Sequence, residues 1–422
     1  MINKEYFKNK KIVIAGLARS GLACANLLFD LGSKVSVTDN QDNPITQSNA
    51  RQVKSKEIKI EIGEHTRGFI EGNHLLTLSP GVPKEALPVI WAQELNIPII
   101  SEIELAWRLC SGTVIAITGT NGKTTVTTLI GKILEAAGKR SFTLGNIGQP
   151  FSCQVSNIAE NDFISLEVSS FQLEWIDTFK PKIAVVLNLS RNHLDRYASM
   201  EDYLTAKKRI FKNQDQSDYL VLNYDHPAIR VLAKESRAKV LYFRQEAGFN
   251  PNQSAALSVA SILGIDRKIV LNVFKEFKGV EHRMEEVAQV GGVKFINDSK
   301  STTIDATIWA LNNLDCPVVL IAGGREKGND YSQILPLVRR KVKSAILIGE
   351  AKERIKAVFN GAISIDQAAT LDEAVKKSFT VALPGECVLF SPMCKSFDMF
   401  LNYEERGKSF KNIVYGLAGF KS

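Results

Sequence analysis

The chain is expected to be an α/β protein of three domains, each a parallel sheet covered by helices. Three stretches predict this. Lys11–Gly16 reads as an apolar strand, the pattern Leu22, Ala25, Leu28, Leu31 as a helix, and Lys34–Asp39 as a second strand, the opening of a βαβ unit. Val114–Ile117 is an apolar strand followed by Thr118-Gly119-Thr120-Asn121-Gly122-Lys123-Thr124 and a helix. The apolar face of that helix is Val126, Leu129, Ile130, Ile133, Leu134 and Ala137, and Gly138 terminates it. Beyond residue 282, strands at Lys294–Ile296, Val318–Ile321, Ala345–Ile348 and Cys387–Phe390 alternate with helical patterns such as Thr303–Leu314 and Leu371–Phe379, so another mostly parallel sheet is expected there.

Length and composition bound the rest. At 422 residues the chain suits three domains, and 45% hydrophobic with 23% charged residues is an ordinary globular balance. No apolar run approaches the roughly 18 residues that span a bilayer, and MINKEYFKNKKIVIAG carries no signal-peptide core, so a cytoplasmic protein is expected. The net charge of +8 is spread among acidic residues. Its densest cluster, Arg339, Arg340, Lys341 and Lys343, reads as a solvated helix end, so nucleic acid is not an expected partner. Cys24, Cys110, Cys153, Cys316, Cys387 and Cys394 show no metal spacing and are expected to be buried free thiols.

The loop at 118–124 lies between a strand's carboxyl end and a helix's amino end, where free N–H groups and the helix dipole favour an anion. Gly119 and Gly122 let the backbone approach it, Lys123 reaches β- and γ-phosphates, and the Thr124 hydroxyl faces magnesium. Ile117 stands where the strict P-loop pattern has its first glycine. In the first βα turn, Gly16-Leu17-Ala18-Arg19-Ser20-Gly21 has Ala18 at the middle glycine position of the dinucleotide fingerprint. NAD binding, UDP binding and a structural turn all remain readings of it.

Further along, Phe163–Leu166 ends at Glu167, a carboxylate beside the phosphate loop and suited to magnesium. The strand Ile183–Leu189 runs into a polar loop with His193, which by itself is a metal ligand, a hydrogen-bonding residue or a solvent-facing one. Tyr203–Phe211 reads as a helix bearing Lys207, Lys208 and Arg209, whose structural reading is a solvated basic face. Three polar clusters follow strands in the last third: Asn297–Thr302, Gly323–Gly328 and Ser391–Ser396. Open sheets bind ligands at such ends.

TGTNGKTT, LEVSSFQLE, NHLDRY, AKKRI, EHRMEEV, NDSKSTT, GGREKG and SPMCKSFDMFLNYEERG together resemble the Mur ligase family, ATP-dependent enzymes that build the cell-wall precursor peptide, with folylpolyglutamate synthases as relatives. SPG at Ser79–Gly81, SFDMF and NYEERG resemble its D-glutamate-adding branch, which acts on UDP-N-acetylmuramoyl-L-alanine. The Asp-Asn-Pro-Arg type motif that the sister ligase commonly carries in this last domain does not appear there. The resemblance implies a Rossmann-like UDP-binding domain at 1–100, a central P-loop ATPase-like domain at 101–281 and a Rossmann-like amino-acid-binding domain at 282–422.

It also implies roles. Gly119, Thr120, Asn121, Gly122, Lys123, Thr124 and Thr125 would hold ATP, with Asn252, Arg283, Asp298 and Lys300. Thr124 and Glu167 would ligate one Mg2+, and His193 with a carbamylated Lys207 a second. Lys123, Glu167, His193 and Lys207 would be the catalytic set. Ser20, Asp39 and Ser79 would take the UDP, and Asn146 the muramoyl group. Thr302, Lys327, Ser396, Phe397 and Tyr403 would recognise D-glutamate. The family's histidine–asparagine pair ahead of the helix at Ser254–Leu263 is shortened here to Gly248-Phe249-Asn250-Pro251-Asn252, without the histidine. A monomer is expected, closing over its substrates.

Overall fold

A computed structural model describes residues 4–190, 196–326, 328–417 and 419. The chain divides into two compact units, residues 1–277 and 278–422, and each is taken by itself. The first unit holds two sheets. One comprises β1 (Lys11–Ala15), β2 (Lys34–Asp39), β3 (Lys59–Ile62), β4 (Leu75–Leu78) and β5 (Ile99–Ser101), all parallel in the order β3-β2-β1-β4-β5. The other comprises β6 (Thr113–Thr118), β7 (Ser141–Gly145), β8 (Phe163–Glu167), β9 (Ile183–Val186), β10 (Tyr219–Asn223) and β11 (Lys239–Phe243) in the order β11-β10-β9-β6-β8-β7, again all parallel.

β4, β6 and β9 are almost wholly apolar because helices cover both faces, as parallel sheets require. One apolar cluster runs from Ile12, Leu28 and Val37 of the first sheet through Leu105 and Phe151 to Ala116 and Leu166 of the second, so the two sheets share a core. Glu104 reinforces the junction. Its carboxylate accepts hydrogen bonds from the backbone of Asp177, Thr178 and Phe179 and from Arg108, and these bonds outweigh burial and hold it below the usual carboxylate range.

The second unit carries β12 (Glu285–Val290), β13 (Val293–Asn297), β14 (Val318–Gly323), β15 (Val342–Ile348), β16 (Ser364–Gln367) and β17 (Cys387–Phe390), ordered β12-β13-β17-β14-β15-β16. Only β12 runs antiparallel, at an edge. The three polar clusters follow β13, β17 and β14, which are consecutive neighbours, so one edge of the sheet gathers all of them.

Two expectations need correction. Ile183–Leu189 is not all strand: pairing stops at Val186, and Leu187 and Asn188 turn over the phosphate loop. The cysteines are not all free and buried. Cys316 and Cys387 form a disulfide with Cα atoms 6.2 Å apart, and Cys153 is exposed. The cause is topological, since Cys316 precedes β14 and Cys387 opens β17, whose first residues pair.

Candidate active site

The phosphate loop of the first unit is shaped by its neighbours. Gly122 precedes the helix Lys123–Ala136 at φ 83°, a left-handed conformation open to glycine, and a Cβ there would lie 2.3 Å from Asn252 Oδ1. That closeness puts Asn252 against the loop. A Cβ at Gly119 would fall 2.9 Å from Leu187 Cβ, so both glycines are needed for the loop's close packing. Asn188, which sequence reasoning missed, braces the turn. Its Oδ1 accepts the Thr120 and Asn121 N–H groups at 3.1 and 2.9 Å, and its Nδ2 donates to Asn121 O at 3.0 Å.

Two lysines converge on one carbonyl. Lys123 Nζ donates to Gly119 O and Thr120 O, each at 2.9 Å, and Lys207 Nζ donates to the same Gly119 O at 2.9 Å. Lys207 is only 1% exposed and lies over the Tyr203 ring, so a solvated basic face does not describe it. Burial, and then the Lys123 ammonium, hold its amine well below the usual lysine range. Glu167 ends β8 opposite Ile117, one residue before Thr118, and is 1% exposed. Asn146 Nδ2 donates to Glu167 Oε1 at 3.0 Å, and Thr124 is buried on the first turn of the helix. Thr125 follows it on the same turn. His193 lies outside the described residues.

In the first sheet the selected residues meet at one turn. Ser79 Oγ donates to Gly16 O at 2.8 Å, Asp39 Oδ2 accepts the Leu17 N–H at 2.6 Å, and Ser20 stands on the first turn of Arg19–Asp30. This is the crevice between β1 and β4, where chain direction along the sheet reverses and ligands bind in such folds.

In the second unit Asp298 is almost wholly buried. It accepts Ser301 Oγ, Ser391 Oγ and Met284 N, yet desolvation pushes its carboxyl up to about 6. Arg283 lies near enough to oppose that shift, and its buried Nε has no hydrogen-bond acceptor among the described residues. The flanking His282 and Met284 have φ of 63° and 47°, a left-handed path that residues with a Cβ rarely take. Lys300 Nζ sits 5.6 Å from the Tyr403 ring centroid, and Thr302 follows on the same loop, its N–H bonded to Lys300 O. Ser396 is buried, whereas Phe397 is 52% exposed. Lys327 lies outside the described residues, but Arg354 braces its neighbours by donating to Glu326 Oε1 and Asn329 O.

Arg406 was also missed. Fully buried, it donates to Ser299 Oγ, Ser299 O and Cys394 O, tying the helix Tyr403–Leu417 to two of the polar clusters.

Asp298 yields a pH prediction. Its folded-state value lies above the ordinary 3.8, so between about pH 4 and 6 the folded chain binds more protons than the unfolded one. Stability is therefore present below that window and lost as pH rises through it, on the order of 3 kcal/mol for this group. Asp298→Asn should lack this loss. Urea unfolding of both proteins across the window checks it, and a pH-independent difference between them contradicts it.

The groups present fit a nucleotide with magnesium. The strand-to-helix loop offers a helix amino end and a lysine to phosphates, its two glycines let Asn252 and Leu187 pack directly on the loop backbone, and the Thr124 hydroxyl and Glu167 carboxylate are hard oxygen donors.

Comparison with known proteins finds one family along most of the chain. Residues 10–101 match the Mur ligase MurD-like N-terminal domain, residues 117–270 the Mur ligase middle domain, and residues 282–394 the Mur ligase glutamate ligase domain. A UDP-N-acetylmuramoylalanine-D-glutamate ligase of Thermoanaerobacter sp. (strain X514) is 40% identical over 96% of this chain and 98% of its own. Its counterpart of the same name in Geotalea daltonii is 40% identical over 98% of both. Among solved structures, a UDP-N-acetylmuramate-alanine ligase from Thermotoga maritima shares the fold at TM-score 0.61, with 17% identity over 96% of this chain and 99% of the other. A MurF ligase from the same organism, in complex with ADP, shares it at TM-score 0.58, with 15% identity over 100% and 98%.

Proposed function

The chain belongs to the Mur ligase family, and from that premise we propose that it is an ATP-dependent ligase joining D-glutamate to UDP-N-acetylmuramoyl-L-alanine in peptidoglycan precursor synthesis. The observation that carries the substrate assignment is 40% identity, over 96% of the chain, to a relative bearing that name. The two lysines on one loop carbonyl beside a buried glutamate support the chemistry.

At neutral pH a carboxylate and an ammonium do not condense, because the first is a poor electrophile and the second lacks a free electron pair. Transfer of the γ-phosphoryl group to a carboxylate oxygen of the muramoyl-alanine releases ADP and leaves an acyl phosphate. The amine of D-glutamate, having lost a proton, attacks the acyl carbon, and the tetrahedral intermediate expels phosphate. Both steps crowd anions together, so the protein's work is placement and charge neutralisation.

Lys123 and the amides of Gly119 and residues 122–125 take the phosphates, Thr120 and Asn121 shape the loop with their own amides held by Asn188, and Asn252 borders it. Magnesium, when bound, neutralises phosphate charge as a Lewis acid; Thr124 and Glu167 would hold one ion, His193 and a carbamylated Lys207 a second. The lysine's setting supports the carbamate. Burial and then the Lys123 ammonium disfavour the protonated form of the Lys207 amine, and on attacking CO2 and shedding a proton the amine becomes an anionic oxygen ligand, a charge that the Lys123 ammonium favours. We assign Ser20, Asp39 and Ser79 to UDP, Asn146 to the muramoyl group, and Arg283, Asp298 and Lys300 to ATP. Thr302, Lys327, Ser396, Phe397 and Tyr403 are assigned to D-glutamate, whose carboxylates suit a lysine with hydroxyls.

The labour divides as 1–100 for UDP, 101–281 for ATP and 282–422 for the amino acid, in a cytoplasmic monomer. Among the described residues no helix is long and apolar enough to cross a membrane. The test is phosphate release from ATP with UDP-N-acetylmuramoyl-L-alanine. D-glutamate should support turnover, and equal or greater turnover with L-glutamate or a folate would overturn the assignment.

A further inference from the structure

Arg196 joins the two sheets of the first unit through a set of contacts that the chemistry above leaves unused. Its Nη2 donates to Val82 O at 3.0 Å and its Nη1 to Pro80 O at 3.3 Å, in the turn that follows β4. Its guanidinium lies 4.0 Å from the centroid of the Phe171 ring, beside the helix Ser170–Leu173 that follows β8 and Glu167. Glu174 Oε2 lies 3.7 Å away, and the other oxygen of the same carboxylate accepts the Tyr197 hydroxyl. A planar cation is thus stacked on the ATP sheet's side and forked onto two carbonyls of the nucleotide sheet's side, a geometry that a lysine cannot reproduce.

The turn it grips is the one that shapes the β1–β4 crevice. Ser79 bonds Gly16 O, and a Cβ at Gly16 would meet Val82 Cγ2 at 3.1 Å, so Val82 packs directly on the first βα turn. Moving Val82 moves the wall of that crevice. We propose that Arg196 is a positioning residue that clamps the Ser79–Val82 turn to the Glu167 side of the phosphate loop, setting where a nucleotide-sugar substrate bound on one sheet meets phosphate bound on the other. The inference rests on the ligase reading and adds to it a residue acting through the turn, with no contact to the reacting atoms.

The test compares wild type, Arg196→Ala and Arg196→Lys by kinetics and by amide hydrogen exchange of the free proteins. Arg196→Ala should raise KM for UDP-N-acetylmuramoyl-L-alanine about ten-fold while KM for ATP and for D-glutamate stays within about two-fold. Arg196→Lys keeps the charge and should recover little of the loss. Exchange within residues 79–82 should quicken in both variants, a readout that does not depend on turnover. An unchanged KM for the muramoyl substrate, a common rise in all three KM values, or unchanged exchange at residues 79–82 would each overturn the clamp. Wild type that exchanges slowly there but shows no turnover with these substrates would count against the ligase reading, and acceleration in the variants would still identify the clamp.

Discussion

Lys207→Met should lower kcat by about three orders of magnitude while the protein stays folded, because the variant fills the same buried space without the amine. In wild type the amine is buried on the Tyr203 ring and bonded to the Gly119 carbonyl that Lys123 also uses. A protonated Lys207 would add a second cation to that carbonyl, and burial already disfavours it. Activity of wild-type protein prepared without CO2 should be depressed and should return on adding bicarbonate. Lys207→Met should show no such response. Full activity of Lys207→Met, or wild-type turnover indifferent to CO2 removal, would contradict the role.

Lys123→Ala should be as severe, about three orders of magnitude in kcat/KM with ATP varied, since it removes the one loop cation able to follow charge onto the transferring phosphoryl group. The loop itself should survive. Asn188 holds residues 120 and 121 through three hydrogen bonds independent of the lysine, so circular dichroism and melting temperature should change little. A variant retaining more than about a tenth of wild-type kcat/KM would remove Lys123 from the chemistry.

The parts of this arrangement that could be read from the chain are those with local signatures. The strand, loop and helix around residue 122 announce themselves through apolar periodicity, small residues and a terminating glycine at φ 71°. Glu167 is legible because an apolar strand ends on it, and the three polar clusters of the second unit because each follows an apolar strand. Asn188 and Arg406 were not legible. Asn188 bonds the backbone of Asn121, 67 residues away, and Arg406 bonds that of Ser299, 107 residues away, besides the nearer Cys394 O, and nothing in the neighbouring sequence marks such bonds.

Lys207 shows the boundary between the two cases. The run Lys207, Lys208, Arg209 suggests a solvated face by composition, whereas the helix Met200–Lys208 turns only the first of them fully inward. Its assignment came from resemblance to a family, and its burial gives that assignment a physical reason. The strand expected to reach Leu189 failed for a similar cause. Leu187 and Leu189 look like continuing strand residues, but the backbone leaves the sheet at Val186 so that Asn188 can face the loop. The Cys316–Cys387 pair, 71 residues apart, depends on which strands become neighbours.

The claim on which the account rests is that ATP makes an inert acid reactive by phosphorylating it. It is tested most directly by turnover of UDP-N-acetylmuramoyl-L-alanine carrying 18O in both carboxylate oxygens, with ATP and D-glutamate, followed by mass analysis of the inorganic phosphate. Phosphate bearing one 18O atom per turnover is expected, because the oxygen that bridges carbon and phosphorus leaves with the phosphorus. Unlabelled phosphate, with the displaced 18O recovered in water instead, would contradict it.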